Sequence, residues 1–168
     1  DKSPANYQPL TPLTFLARSA AVYPDHVAII HGKSRTSYAA FYARARKLAS
    51  ALVKAGIKKG ETVSVILANT PAMLECHYGV PMMGAVLNTL NTRLDAMTIG
   101  FSLDHAETKL LIVDKEFAGL AKNAIQLMKG PKPIVIDYVD PEFAVDGERL
   151  SSIEYEQFIS GGDAEFEW

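Results

Sequence analysis

Glu61-Thr62-Val63-Ser64-Val65-Ile66-Leu67-Ala68-Asn69-Thr70-Pro71 decides how the rest of the chain is read. Val63, Val65, Ile66 and Leu67 form a short, mostly β-branched run, the pattern of a strand buried on both faces. A turn follows at once, and a helix restarts at Asn69-Thr70-Pro71, where a proline at the first helical position loses no hydrogen bond. The same alternation recurs downstream. Strand candidates lie at residues 85–90, 109–113 and 133–136, and helix candidates at about 95–105 and 116–128. Parallel strands need crossovers of this length, so the chain is predicted to be α/β, a mostly parallel sheet flanked by helices with right-handed connections. The pattern leaves strand order open.

Working back toward the N-terminus, residues 1–10 carry two prolines and read as an extended arm. Thr11 is an N-cap candidate with Pro12 behind it, and Leu13, Leu16, Ala17 and Ala20 recur at helical spacing. Residues 27–31 and 35–38 flank Gly32-Lys33 as a hairpin. Ser37 caps a helix over about 39–55, with Phe41, Ala45, Leu48, Ala49 and Leu52 buried and Arg44, Lys47 and Lys54 outside. Gly56 is placed for the left-handed position beyond its end. The helix from Pro71 should run to about Gly84. Pro81 inside it removes a backbone bond and meets the His77 carbonyl, so a kink or an early stop is expected. In the later helix Phe117, Leu120, Ala121, Ala124 and Leu127 should share one buried stripe. Residues 137–148 are acidic and read as a surface loop, and Ser151-Ser152-Ile153-Glu154 resembles a helix start.

With 168 residues, 48% of them hydrophobic, the chain can bury a sizeable core, and its length suits one domain. Seventeen basic residues against nineteen acidic ones leave no excess to attract nucleic acid. The apolar runs are too short for a transmembrane segment. Asp1-Lys2-Ser3-Pro4 lacks the pattern of a signal peptide, and a single cysteine, Cys76, suits a reducing compartment, so a cytoplasmic location is expected. Cys76 and His77 are adjacent, and on a helix adjacent residues point about 100° apart, which argues against a nucleophile–base pair. His26, His31 and His105 have no metal-ligand spacing, so no metal site is expected. Asp140, Glu142, Asp146 and Glu148 read as too solvated for paired acid–base work.

Thr36-Ser37-Tyr38 … Arg44 … Lys47-Leu48-Ala49 … Leu52 and Gly56-Ile57-Lys58-Lys59-Gly60-Glu61 form one block. Asn69-Thr70-Pro71, Gly84-Ala85-Val86 and Asn91-Thr92-Arg93-Leu94 form a second, and Ile112-Val113-Asp114 continues it. In this order and spacing they resemble the N-terminal subdomain of the acyl-CoA synthetases, fatty-acid–CoA ligases of the adenylate-forming, AMP-binding superfamily. The resemblance is good over residues 36–113 and looser over 10–168. Ala40 stands where the family carries an acidic residue, and Pro81 suits only some members.

What the resemblance implies is the first subdomain of the large domain, and a reaction in two steps. A fatty acid and ATP, with Mg²⁺, would give an acyl-adenylate and pyrophosphate, and CoA would then displace AMP to form acyl-CoA. Such chemistry needs backbone N–H groups and cations around the phosphates. The family's phosphate loop is absent from residues 1–168. Ser160-Gly161-Gly162-Asp163 and Gly130-Pro131-Lys132-Pro133 read as turns, so residues 1–168 are expected to be a portion truncated before that loop, inactive alone and without bound cofactor. Arg93 is the candidate for the CoA side. His77, Met82 and Met83, with Met73 nearby, are candidates for lining the acyl site. A homodimer and a face of exposed apolar surface are further expectations. An aryl-acid or luciferase-like ligase and a free-standing α/β binding module are the alternatives.

Overall fold

Thr11 is the N-cap of α1 (Pro12–Val22) as expected, and the structure adds a reciprocal bond: Thr11 and Thr14 exchange side-chain and backbone hydrogen bonds. The computed structural model describes residues 3, 5–7, 10–143 and 146–168. Of the expected N-terminal arm, residues 1, 2, 4, 8 and 9 lie outside the described residues. The amides of Asn6 and Tyr7 both donate to the Ser3 carbonyl, which makes a turn there.

β1 (Val27–His31) and β2 (Ser34–Ser37) form an antiparallel hairpin of their own. Ser37 then caps α2 (Tyr38–Lys54) by accepting the Ala40 amide, and Gly56 past its end has a φ of +88°. There follow β3 (Thr62–Ile66), α3 (Pro71–Met82), β4 (Val86–Thr89), α4 (Ala96–His105) and β5 (Leu110–Asp114). A 3₁₀ turn (Lys115–Phe117) leads into α5 (Ala118–Leu127), then β6 (Ile134–Tyr138) and α6 (Tyr155–Ser160). Pro81 has the second of its two expected effects: α3 stops one residue later, at Met82.

The four later strands form one parallel sheet in the order β4-β3-β5-β6. Alternation along β3 and β5 sends Val63, Val65, Leu110 and Ile112 to one face, where they meet Leu48 and Leu52 of α2, Cys76 and Val80 of α3, and Ile159 of α6. Ile66, Leu111 and Val113 face the other way, onto Ile99 and Leu103 of α4 and Ala121 and Ala124 of α5. Outside α2, a third cluster of Leu16, Phe41, Ala45, Ala49 and Met82 seats α1 and the hairpin. All five predicted core residues of α2 are buried.

Four local expectations need correction. Leu127 is exposed and Met128 buried, because the buried stripe of α5 runs through Ala118, Ala121 and Ala124 and, at about 100° per residue, meets position 128 rather than 127. Arg44 is half-buried, held by the buried carboxylate of Glu75 on α3. The acidic segment is no continuous surface: β6 runs on to Tyr138, and Asp137 and Asp140 are buried. Residues 144–145 of that segment lie outside the described residues. Ser151 does not cap α6; its amide donates to Asp137, and Glu154 caps the helix by accepting the Glu156 and Gln157 amides.

After α6 the chain runs back along α2. Lys54 Nζ donates to the Gly161 carbonyl at 2.7 Å, Arg46 Nε to the Phe166 carbonyl at 2.9 Å, and Trp168 Nε1 to the Tyr42 hydroxyl at 3.0 Å. Exposed apolar side chains gather on α4, where Met97 and Phe101 are 73% and 67% exposed, on Val86 of edge strand β4, and on Ile30 of the hairpin. Among the described residues no helix is long and apolar enough to cross a membrane.

Candidate functional site

The chain leaves the neighbouring strands β3 and β5 toward opposite faces of the sheet: β3 leads to α3 on one side, β5 through the 3₁₀ turn to α5 on the other. In open α/β sheets the crevice at such a reversal, outside the carboxyl ends of the strands, is where ligands bind. Asn69 and Thr70 follow β3, Asp114 closes β5, and Tyr138 closes β6. Asp114 is buried and accepts the Glu116 amide at 3.0 Å. Burial pushes its carboxyl above the usual range, with Glu116 and Asp140 adding repulsion and the Glu116 and Ala68 amides opposing. Burial also raises the Tyr138 phenol, beside the Thr70 hydroxyl.

Two clefts open at this edge. One, of about 310 Å³, lies between β1 and the start of α3; Ile29, Ile30, Met73 and Leu74 form its apolar walls, and His31 and His77 its polar ones. The second, of about 270 Å³, is lined by Arg44, Glu75, Tyr138 and Glu156 among others and shares His31 with the first. Its charged wall is a closed network. The Glu75 carboxylate accepts from Arg44 Nε at 2.5 Å, from Arg44 Nη2 at 3.2 Å and from the Tyr155 hydroxyl at 2.8 Å. Arg44 also donates to both carboxylate oxygens of Glu156. Burial holds the Glu75 carboxyl above its ordinary range despite these donors. The hydrogen bonds and charges of Glu156 and Glu75 outweigh desolvation and raise Arg44, which stays protonated throughout. Every group here is already spent on another, so the network fastens α2, α3 and α6 together and offers no free acid or base.

The residues singled out from sequence are not brought together. His77 stands exposed at the rim of the first cleft, with Nδ1 2.8 Å from the Met73 carbonyl, and Met73 lines the same cleft. Met82 is buried against Leu16, Phe41 and Ala45, and Met83 packs beside two core clusters; neither lines a cleft described here. Arg93 is exposed on the β4–α4 connection, and among the described residues its guanidinium makes no ion pair. Asp95, two residues on, caps α4 through Thr98. Cys76 is wholly buried, and burial pushes its thiol up, so it is no nucleophile.

Neither glycine turn singled out from sequence is built as a phosphate cradle. The amide of Gly130 is held by Asp104 at 3.0 Å, and the amide of Gly162 donates to the Ile159 carbonyl, so neither glycine turn presents free N–H groups to a phosphate. Among the described residues no group of three or more His, Cys, Asp or Glu side chains could hold a metal ion.

A family model described as AMP-binding enzyme matches residues 16–160. The chain belongs to that family. It is 42% identical over 99% of its length to an acetate/butyrate–CoA ligase of Arabidopsis thaliana named as peroxisomal, and 42% identical over 99% to an acetate–CoA ligase of Humulus lupulus. A peroxisomal benzoate–CoA ligase of Arabidopsis thaliana is 47% identical over 74% of the chain. The chain spans about a third of the length of the first two relatives, 31% in each case. An anthranilate CoA ligase structure shares the fold, with a TM-score of 0.77 over 92% of this chain and 29% of that one at 17% identity. A Mycobacterium tuberculosis fatty acyl CoA synthetase superposes with a TM-score of 0.72 over 91% of this chain and 28% of that one at 25% identity.

The Arg44–Glu75–Tyr155 network is absent from the expectations drawn from sequence, although a signal existed. Glu75 stands three residues after Ala72 and four before Gly79, on a stripe of α3 that is otherwise small or apolar and buried. A carboxylate there requires a buried cation or several donors.

Proposed function

We propose that this chain is the N-terminal portion of an ATP-dependent acid–CoA ligase whose acid is a short aliphatic one. The observation that carries the reading is 42% identity across 99% of the chain to a ligase named for acetate and butyrate, on a fold shared with other CoA ligases. The longer fatty acids implied by the sequence resemblance are set behind short acids, because the relatives described above at 42% and 47% identity are named for acetate, butyrate and benzoate, whereas the fatty acyl CoA synthetase structure matches at 25%. An aryl acid is the second reading, favoured by the 47% identity to the benzoate ligase.

In this reading the chain supplies scaffold. The parallel sheet holds the carboxyl-edge crevice open, the cleft of His77 and Met73 forms one wall of the acyl site, and Arg93 is the CoA-side candidate. Groups for ATP and Mg²⁺ come from outside these residues, as does the catalytic machinery. A homodimer belongs to the same reading and is checked by light scattering of the full-length protein. So does the cytoplasmic location expected from the lone thiol, which imaging of the tagged protein separates from the peroxisomal site named for two of its relatives.

The test is AMP formation by the full-length protein with ATP, Mg²⁺, CoA and a panel of acids. Acetate and butyrate are expected to outrun octanoate and palmitate by at least tenfold in kcat/KM. A preference for benzoate or cinnamate selects the aryl reading, and no AMP with any acid removes the ligase assignment.

A further inference from the structure

The two ends of the β1–β2 hairpin are secured in different ways. At its base the backbone itself is tied: the Tyr38 amide donates to the His26 carbonyl and the Ala39 amide to the Pro24 carbonyl, each at 3.0 Å. At its tip, among the described residues, no backbone–backbone bond reaches the rest of the fold. Side chains of the loop after β6 hold it instead. His31 Nε2 lies 2.8 and 3.0 Å from the two Asp140 oxygens, and the Lys33 amide donates to Glu142 Oε1 at 3.2 Å. Asp140 in turn takes the Glu142 amide at 2.9 Å, so the two carboxylates act as one clasp. Gly32 fits beneath it because it has a φ of +54° and no side chain; a Cβ there would stand 2.2 Å from Glu142 Oε2.

The hairpin is weak in isolation. Two strands without a third are marginal in water, and this pair shares no ladder with the main sheet. Its pairing already shifts register between Val27 and Ile29, near the tied base. Ile30 beyond that point is 66% exposed. Elements with few buried contacts and side-chain fastenings open at lower free energy than the core. Ile29, Ile30 and His31 are also one whole wall of the 310 Å³ cleft, and His31 is shared with the second cleft.

We propose that the β1–β2 hairpin is a latched wall: its tip beyond Ile29, which itself packs on the third core cluster, swings outward, and the His31–Asp140 and Lys33–Glu142 contacts latch that tip to the loop after β6. Opening widens both clefts at the carboxyl edge of the sheet. That this motion admits a ligand rests on the ligase reading; the motion itself does not.

Peptide-resolved hydrogen exchange on the full-length protein, with no substrate present, tests the latch separately from any activity. Asp140→Ala and Glu142→Ala should each speed exchange of residues 30–35 at least tenfold while leaving residues 62–66 and 110–114 unchanged. His31→Ala should match Asp140→Ala. Unchanged exchange at the tip in Asp140→Ala overturns the latch. Equal acceleration in β3 and β5 overturns it too, because the contacts would then support the whole fold and not the hairpin alone.

Discussion

The two faces of the sheet are held by different forces. Under α4 and α5 the join is mostly apolar, with Ile66, Leu111 and Val113 set against Ile99, Leu103, Ala121 and Ala124, and its buried polar contacts are neutral: Ser64 bonds Thr108 at 2.7 Å and accepts from Asn88 at 3.0 Å. Under α2, α3 and α6 the apolar layer is overlaid by the charged junction of Arg44, Glu75, Tyr155 and Glu156, and then by the C-terminal segment lying along α2. Apolar packing is non-directional and tolerates adjustment. A buried carboxylate shared by one guanidinium and one phenol fixes three helices in a single arrangement. The difference places the buried charged contacts on the face that carries both carboxyl-edge clefts, and apolar packing with neutral hydrogen bonds on the other.

Arg44→Met breaks this contrast most severely. It strands Glu75 without its cation in a site 1% exposed, and removal of one partner of a buried pair costs about 3–5 kcal/mol. Chemical denaturation at pH 7 reads that loss. The pH dependence carries the sign. Glu75 already titrates above its unfolded value, so the folded state takes up the proton more readily and the group's favourable contribution falls as pH rises through and above the ordinary glutamate range. Without Arg44 that slope steepens, so the variant should recover part of its stability in mild acid, and Glu75→Gln in the same background should recover it at neutral pH. A pH-independent loss would mean that Arg44 acts by packing alone.

Leu111→Ala on the opposite face leaves a cavity in apolar packing and should cost about 2–4 kcal/mol, with no pH dependence beyond that of the parent chain. Asp104→Asn is the smallest change. Asp104 lies on α4 and accepts the Lys129 and Gly130 amides, which hold its carboxyl below the usual range. That contribution is present above the ordinary aspartate range and lost as pH falls through it, opposite in sense to Glu75. Melting curves of the parent and Asp104→Asn should therefore differ slightly at about pH 6 and converge only below the ordinary aspartate range, as pH falls through the lowered folded value.

Much of this fold was legible because its signals are local. Thr11-Pro12, Ser37, Asp95 and Gly56 mark helix ends by short-range chemistry, and each stands where its residue type predicts. The buried strands declare themselves through β-branched runs. What escaped reading depends on contacts remote in sequence. Glu75 meets Tyr155 across 80 residues and His31 meets Asp140 across 109, and no periodicity reports either. Strand order escaped for the same reason, since β5 pairs with β3 and not with its predecessor β4. Of the candidate site, His77 and Met73 reach a cleft, whereas Met82 is absorbed by the core because α3 turns it toward α1 and α2.

The proposed function holds residues 1–168 to be ligase scaffold, with the groups that handle ATP supplied from outside them. Pyrophosphate release from ATP and Mg²⁺, with acetate, butyrate or benzoate present, tests it when the 168-residue chain and the full-length protein are assayed side by side. The account predicts release by the full-length protein and none above background by the chain alone. Turnover by the 168 residues would contradict it, as would a silent full-length protein.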